Sequence, residues 1–168
     1  MKILKYFGIP LFAAAVVFAK PPAPVASGLG KVYAGYLNIQ QALADDDFQK
    51  AKTASASLAD TVQAVPTKGL DKSALSRWDS SSAGIRKSLR AMADAQDIKA
   101  LRHEFKGLTP LLVNAVETFG MKSGTPAYLI HCPMCNGDWM QKDKKTMNPY
   151  YGKEMQDCGE LVREVKKK

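Results

Sequence analysis

Histidine is scarce in this chain, two residues in 168, and cysteine nearly as scarce, at three. No Ser-His-Asp set can be picked out, and there is neither a glycine-rich phosphate loop nor a pair of carboxylates in a recognisable frame. These absences argue against an enzyme. Aromatic residues make up 8% of the chain and are not interleaved with the basic ones, so the pattern of a nucleic-acid surface is missing. Long hydrophobic runs are missing too, with one exception. Phe7 to Phe18 is apolar but shorter than the ~20 residues needed to span a bilayer.

That run fits a leader better than an anchor. Lys2 and Lys5 form a basic start, and Val17-Phe18-Ala19 offers small residues for cleavage after Ala19. Residues 1–19 are therefore expected to be a signal peptide, and the protein to be exported to the periplasm. No cysteine follows the run, which argues against a lipid anchor. The stretch 20–30, KPPAPVASGLG, is rich in Pro, Gly, Ser and Ala and predicts a flexible lead-in. About 138 residues remain, enough for one domain that folds without staples. The formal charge of +8 falls to +6 once Lys2 and Lys5 leave with the leader. Much of the excess lies in a basic tail over 163–168, whose lysines read as solvated surface with at most weak attraction to anionic headgroups.

Between 31 and 120 the pattern is helical. Tyr33, Tyr36, Leu37, Gln40 and Leu43 share one face of a first segment, closed by Asp45-Asp46-Asp47. Asp47 is placed to cap a second, in which Phe48, Ala51, Ser55, Leu58, Val62 and Val65 recur at steps of three and four, before Pro66 and Gly69 stop it. A third opens near Asp71 and carries Leu75, Trp78, Ile85, Leu89 and Met92; its small, polar centre, Asp79 to Gly84, invites a break. The fourth steps from Ile98 through Leu101, Phe105, Leu108, Leu112 and Ala115 to Phe119, with Pro110 predicting a kink or a restart capped by Thr109. His103 reads as a rim residue. The expected fold is mainly α: an antiparallel four-helix bundle, followed over 121–162 by an irregular Cys/Met-rich segment of the same domain, with one short strand or hairpin near Tyr128-Leu129-Ile130.

Residues 131–160 hold all three cysteines (Cys132, Cys135, Cys158), four of the seven methionines and His131. Thiolate, thioether and imidazole are ligands for Cu(I) and, less sharply, Zn(II), so this crowding points to a metal site, a disulfide, or both. Cys132-Pro133-Met134-Cys135 is a CxxC. Covalent haem would need histidine directly after the second cysteine, where Asn136 stands. A thioredoxin-like site would need a βαβ setting, whereas this motif follows helices. Structural zinc would need four ligands, so all three cysteines and His131 would have to join. A disulfide from Cys132 or Cys135 to Cys158 would contribute about 3–4 kcal/mol in the chain-entropy model and leave one thiol over. Those alternatives stay open on the residues alone.

The order CPM, Trp139-Met140-Gln141, NPYYG and M-x-x-CGE resembles a bacterial periplasmic domain of unknown function. That domain often closes the membrane-fusion (adaptor) subunits of copper/silver efflux pumps and also occurs alone behind a signal peptide. Similarity extends upstream through Tyr36-Leu37, Ala42 to Asp46, Trp78, and Ile98 to Thr109. The resemblance implies a helical-bundle domain handling Cu(I) or Ag(I), with Zn(II) less suited. Its matching metal candidates are Cys132, Met134, Met155 and Cys158; His131 and Cys135 are secondary, Cys135 standing where the family more usually has a small residue. Folded together by the Asn148–Gly152 turn, the two arms would hold a soft ion, with Trp139 and Tyr150 as shields or simply as core aromatics. If no metal binds, a Cys132–Cys158 disulfide in a non-catalytic interaction domain is the alternative. The partner implied is a heavy-metal efflux adaptor or a periplasmic metallochaperone.

Overall fold

The computed structural model describes residues 23–166; the stretch 1–19, expected to be a signal peptide, lies outside the described residues. Four helices come first: α1 (Ala23–Ala44), α2 (Phe48–Gln63), α3 (Lys72–Asp94) and α4 (Ile98–Phe119). They are followed by three short strands, β1 (Tyr128–Cys132), β2 (Gly137–Gln141) and β3 (Glu160–Glu164), with a 3-10 turn, Gly152–Glu154, between β2 and β3. The fold is mainly α.

Aspartate sets three of the helix starts. Asp47, Asp71 and Asp97 each accept a hydrogen bond from the backbone N–H three residues on, at 2.9, 2.8 and 2.7 Å, satisfying donors that the first helical turn leaves free. Gly120, at φ 74°, ends α4 by donating its N–H to Val116 O. Each helix packs on its neighbours in sequence, and α1 also touches α4. Helix α1 is buried around most of its circumference; Leu29, Tyr33, Tyr36, Ile39 and Leu43 are all fully enclosed. No helix of the described residues is long and apolar enough to cross a membrane.

Four expectations need correcting. The stretch 20–30 is helical from Ala23 onward, with Val25 and Leu29 fully buried. Their spacing continues the face of Val32, Tyr33 and Tyr36, so tertiary burial overrides the poor propensity of Ser27, Gly28 and Gly30. No break occurs in α3. Its small centre serves close packing: Ser82 is buried, and a Cβ at Gly84 would lie 3.6 Å from Leu111 of α4. Pro110 lies within an uninterrupted α4, and Thr109 caps nothing; its hydroxyl shares a 2.8 Å hydrogen bond with that of Tyr36. The basic tail begins later than residue 163, because Arg163 and Glu164 belong to β3 and Val165 is buried.

The C-terminal segment is also more regular than expected. Its strands form one antiparallel sheet in the order β2-β1-β3, with Cys132 paired to Gly137 at the closed end of the β1–β2 hairpin. Helices and sheet share a core. Tyr33 Oη donates to Pro126 O at 2.8 Å, Met140 N donates to Tyr36 Oη at 3.1 Å, and Gln40 Nε2 donates to Met147 O at 2.6 Å. Through these bonds α1 fixes where the sheet sits, and so where the cysteines sit.

Candidate metal centre

The hairpin supplies the first arm. Cys132 ends β1 and is fully buried. Pro133 to Asn136 make the turn, and Asn136 takes the left-handed conformation, φ 48°, that asparagine tolerates better than most residues. Gly137 is required at the next position: a Cβ there would lie 2.9 Å from the Tyr150 ring and 3.2 Å from Cys135 Sγ. Lys106 of α4 holds the turn from outside by donating to Cys135 O at 2.7 Å.

Asn148 organises the second arm. It is completely buried. Its Oδ1 accepts from the backbone N–H groups of Tyr150 and Tyr151, at 2.8 and 3.2 Å, while Nδ2 donates to Cys158 O at 2.6 Å. This is the side-chain-to-backbone turn for which asparagine is suited. Gly152 follows at φ 56°, where a Cβ would collide with the Asp46 carboxylate and the Arg102 guanidinium. That contact belongs to a clamp onto the helices. Arg102 donates to Pro149 O at 2.8 Å, to Leu43 O at 2.9 Å and to Asp46 Oδ1 at 2.6 Å, and Asp46 Oδ2 accepts from Lys153 N at 3.1 Å.

Held this way, Cys132 Sγ and Cys158 Sγ are 3.6 Å apart. Two sulfurs bound to one ion at ~2.3 Å with a near-tetrahedral angle would be separated by ~3.8 Å, so little movement is needed to seat one. The thiols are not equivalent. Burial works against ionisation of Cys132, but the N–H of Cys135 and the side chains of Cys135, Asn148 and Cys158 outweigh it, holding this thiol below its ordinary value of 9.0. Burial and the neighbouring Cys132 push the Cys135 thiol up to about 11. Cys158 is raised too, first by its hydrogen bond to Cys132 and then by burial. Of the three thiols, Cys132 alone is held below its ordinary value.

The remaining candidates are placed differently. Met134 is 63% exposed at the turn tip, and Met155 is half-buried, its carbonyl accepting from Cys158 N at 3.1 Å. The 3-10 turn stops at Glu154, so Met155 and Cys158 do not share a helical face. His131 neighbours Cys132 on a strand, where successive side chains alternate, and its Nδ1 lies 2.7 Å from Asp138 Oδ1. It does not join the sulfurs. His103 is exposed, with Nδ1 3.4 Å from Glu104 Oε1. Among the described residues no three His, Cys, Asp or Glu side chains already form a closed coordinating set. Trp139 is fully buried and meets Tyr150 edge-on at 5.9 Å.

Sequence reasoning missed the Arg102–Asp46 clamp, the Gln40 anchor and the Asn148 amide. Only the last left a signal, in the turn-forming order Asn148-Pro149-Tyr150.

The sequence model of a family described as protein of unknown function (DUF3347) matches residues 32–124, more than half the chain. The match takes in most of the helical part and ends ahead of Cys132. No curated protein and no solved structure matches the chain.

Proposed function

The chain belongs to that family of proteins of unknown function, and we propose that it is an exported soft-metal-binding protein that sequesters or delivers Cu(I) or Ag(I) in heavy-metal efflux or homeostasis. The helices, read as an antiparallel bundle, are the platform, and the two cysteine-bearing arms are the working part. One observation carries this reading: the 3.6 Å approach of a buried Cys132 to Cys158 across two arms pinned to the helices, the hairpin by Lys106 and the second arm by Arg102. Thiolates select monovalent copper and silver over harder ions, and no imidazole joins them to favour Zn(II).

Export after cleavage at Ala19, and an efflux adaptor or metallochaperone as partner, complete the proposal. The same 3.6 Å approach supports a second reading, a structural Cys132–Cys158 disulfide with no metal, since closing to ~2.05 Å makes the bond.

Anaerobic titration of fully reduced protein with Cu(I) against a competing chelator separates the two. The metal reading expects binding of one ion per chain that is lost in Cys132→Ser and in Cys158→Ser. Absence of competition with all thiols reduced would leave the disulfide reading ahead.

A further inference from the structure

At the end of the sheet away from the cysteines, Gly120 turns the chain out of α4, and residues 121–127 cross to β1 without regular structure. The crossing is tied down at both ends. Lys122 N donates to Ala26 O at 2.8 Å, and Gly30 lets these backbones meet, since a Cβ there would collide with Lys122 O. Farther on, Pro126 O accepts from Tyr33 Oη and Ala127 O from Val165 N, at 2.8 and 2.7 Å. Between this crossing, α1, α4 and the end of β3 lies a cavity of about 790 Å³. Val116, Phe119, Ala127 and Val165 line it and are themselves buried, and Trp78 braces Phe119 edge-on at 5.6 Å. Small-molecule sites occupy roughly 300–1,000 Å³ and combine an apolar interior with a few polar groups that fix orientation. The rim supplies those groups. Lys122 and Lys166 are exposed there; Lys166 is engaged by Glu164 at 2.9 Å, whereas Lys122 has no carboxylate partner among the described residues.

We propose that this cavity binds a single-chain anionic amphiphile, a fatty carboxylate, with its hydrocarbon tail against Val116, Phe119 and Val165 and its headgroup at Lys122. The interior selects the tail, because a hydrocarbon chain gains by leaving water for apolar walls. The rim selects the charge. An uncommitted ammonium attracts an anion and repels a cation, and the flexible lysine stem lets it follow a headgroup at the mouth. One cavity and one uncommitted lysine match one tail and one charged head. Ala127 and Cys132 lie at opposite ends of β1, about 16 Å apart at the rise of an extended strand. The cavity is therefore separate from the cysteine pair, and the proposal does not depend on the soft-metal reading.

The test is calorimetric titration of the full mature protein with decanoate, decanol and decyltrimethylammonium, each below its micellar concentration, with amide NMR shifts locating the bound chain. One decanoate per chain is expected, moving the amides of residues 116–127 and 164–166. Decanol should bind about threefold more weakly for want of the lysine contact, and the cationic amphiphile more weakly still. Lys122→Glu, at an exposed position, should weaken decanoate about fivefold or more and leave decanol unchanged. Ala26→Phe fills the cavity from α1 and should abolish binding of all three, with thermal unfolding verifying its fold; if it does not fold, Lys122→Glu and the shift map decide. No uptake of decanoate, shifts centred elsewhere, decanol or the cation binding as tightly as decanoate, or an unaltered Lys122→Glu would each overturn the proposal.

Discussion

Replacing Asn148 by alanine removes one buried side chain and disturbs both arms of the cysteine site. Three hydrogen bonds go with it: two N–H groups, on Tyr150 and Tyr151, lose their acceptor, and Cys158 O loses its donor. Each such bond contributes about 1 kcal/mol net, and more where water cannot replace the lost partner. Asn148 is fully enclosed whereas the three partner residues are half-buried, so partial rehydration keeps the total near 3 kcal/mol. For a domain of this size that corresponds to a fall in Tm of about 6–12 °C. Calorimetry of the reduced, metal-free protein reads it directly. Asn148→Asp sharpens the test, because it keeps the acceptor for Tyr150 and Tyr151 but sets a second acceptor against Cys158 O. It is expected to recover part of the Tm and none of the Cu(I) affinity. A fall below about 3 °C for Asn148→Ala would refute the claim that this side chain ties the arms together.

Arg102→Ala strips the donors from Pro149 O and Leu43 O, and with the guanidinium largely enclosed a loss of about 2–4 kcal/mol is expected in urea denaturation. Arg102→Lys should recover little of it, lacking the planar fork. Asp46 is held below its ordinary value of 3.8, first by its hydrogen bond from Arg102 and then by that from Lys153 N. Its folded-state value being depressed, its contribution is present above the unfolded value and is lost as pH falls through the folded one. Urea midpoints followed over about pH 2 to 5 should therefore decline more steeply in wild type than in Asp46→Asn. Tyr36→Phe removes the hydroxyl that accepts from Met140 N and bonds Thr109, joining α1, α4 and β2. Denaturation should register a loss of about 1–2 kcal/mol, with Met140 N left unpaired.

The helices were legible because burial follows a period near 3.6 and aspartates stand before three of the starts. The beginning of α1 was not, since Ser27, Gly28 and Gly30 are weak helix formers and only contact with the rest of the core makes that turn helical. The hairpin was expected near Tyr128–Ile130, but the extent of β2 and the existence of β3 were hidden, for opposite reasons. Within Gly137–Gln141, three consecutive residues are buried, so no alternation shows; every residue of β3 is exposed, and its two apolar residues, Leu161 and Val162, are adjacent and so mark no buried face. Pairing to β1, a contact distant in sequence, is what defines both. At the site, sulfur could be counted in the sequence but not aimed. That is why Met134, which lies exposed at the turn tip, stood beside the buried Cys132 among the candidates. His131 was set beside Cys132 because a strand ending at Ile130 hides the alternation that separates them. Arg102 left no trace: a single arginine on a helix announces neither a distant carbonyl nor a carboxylate.

A crystal of the mature protein, grown anaerobically with one equivalent of Cu(I), measures the central claim most directly through its anomalous difference map at the copper edge. One peak within bonding distance of both Cys132 Sγ and Cys158 Sγ is the result expected. A peak confined to the exposed Met134, or a Cys132–Cys158 disulfide with no peak beside it, would contradict the account.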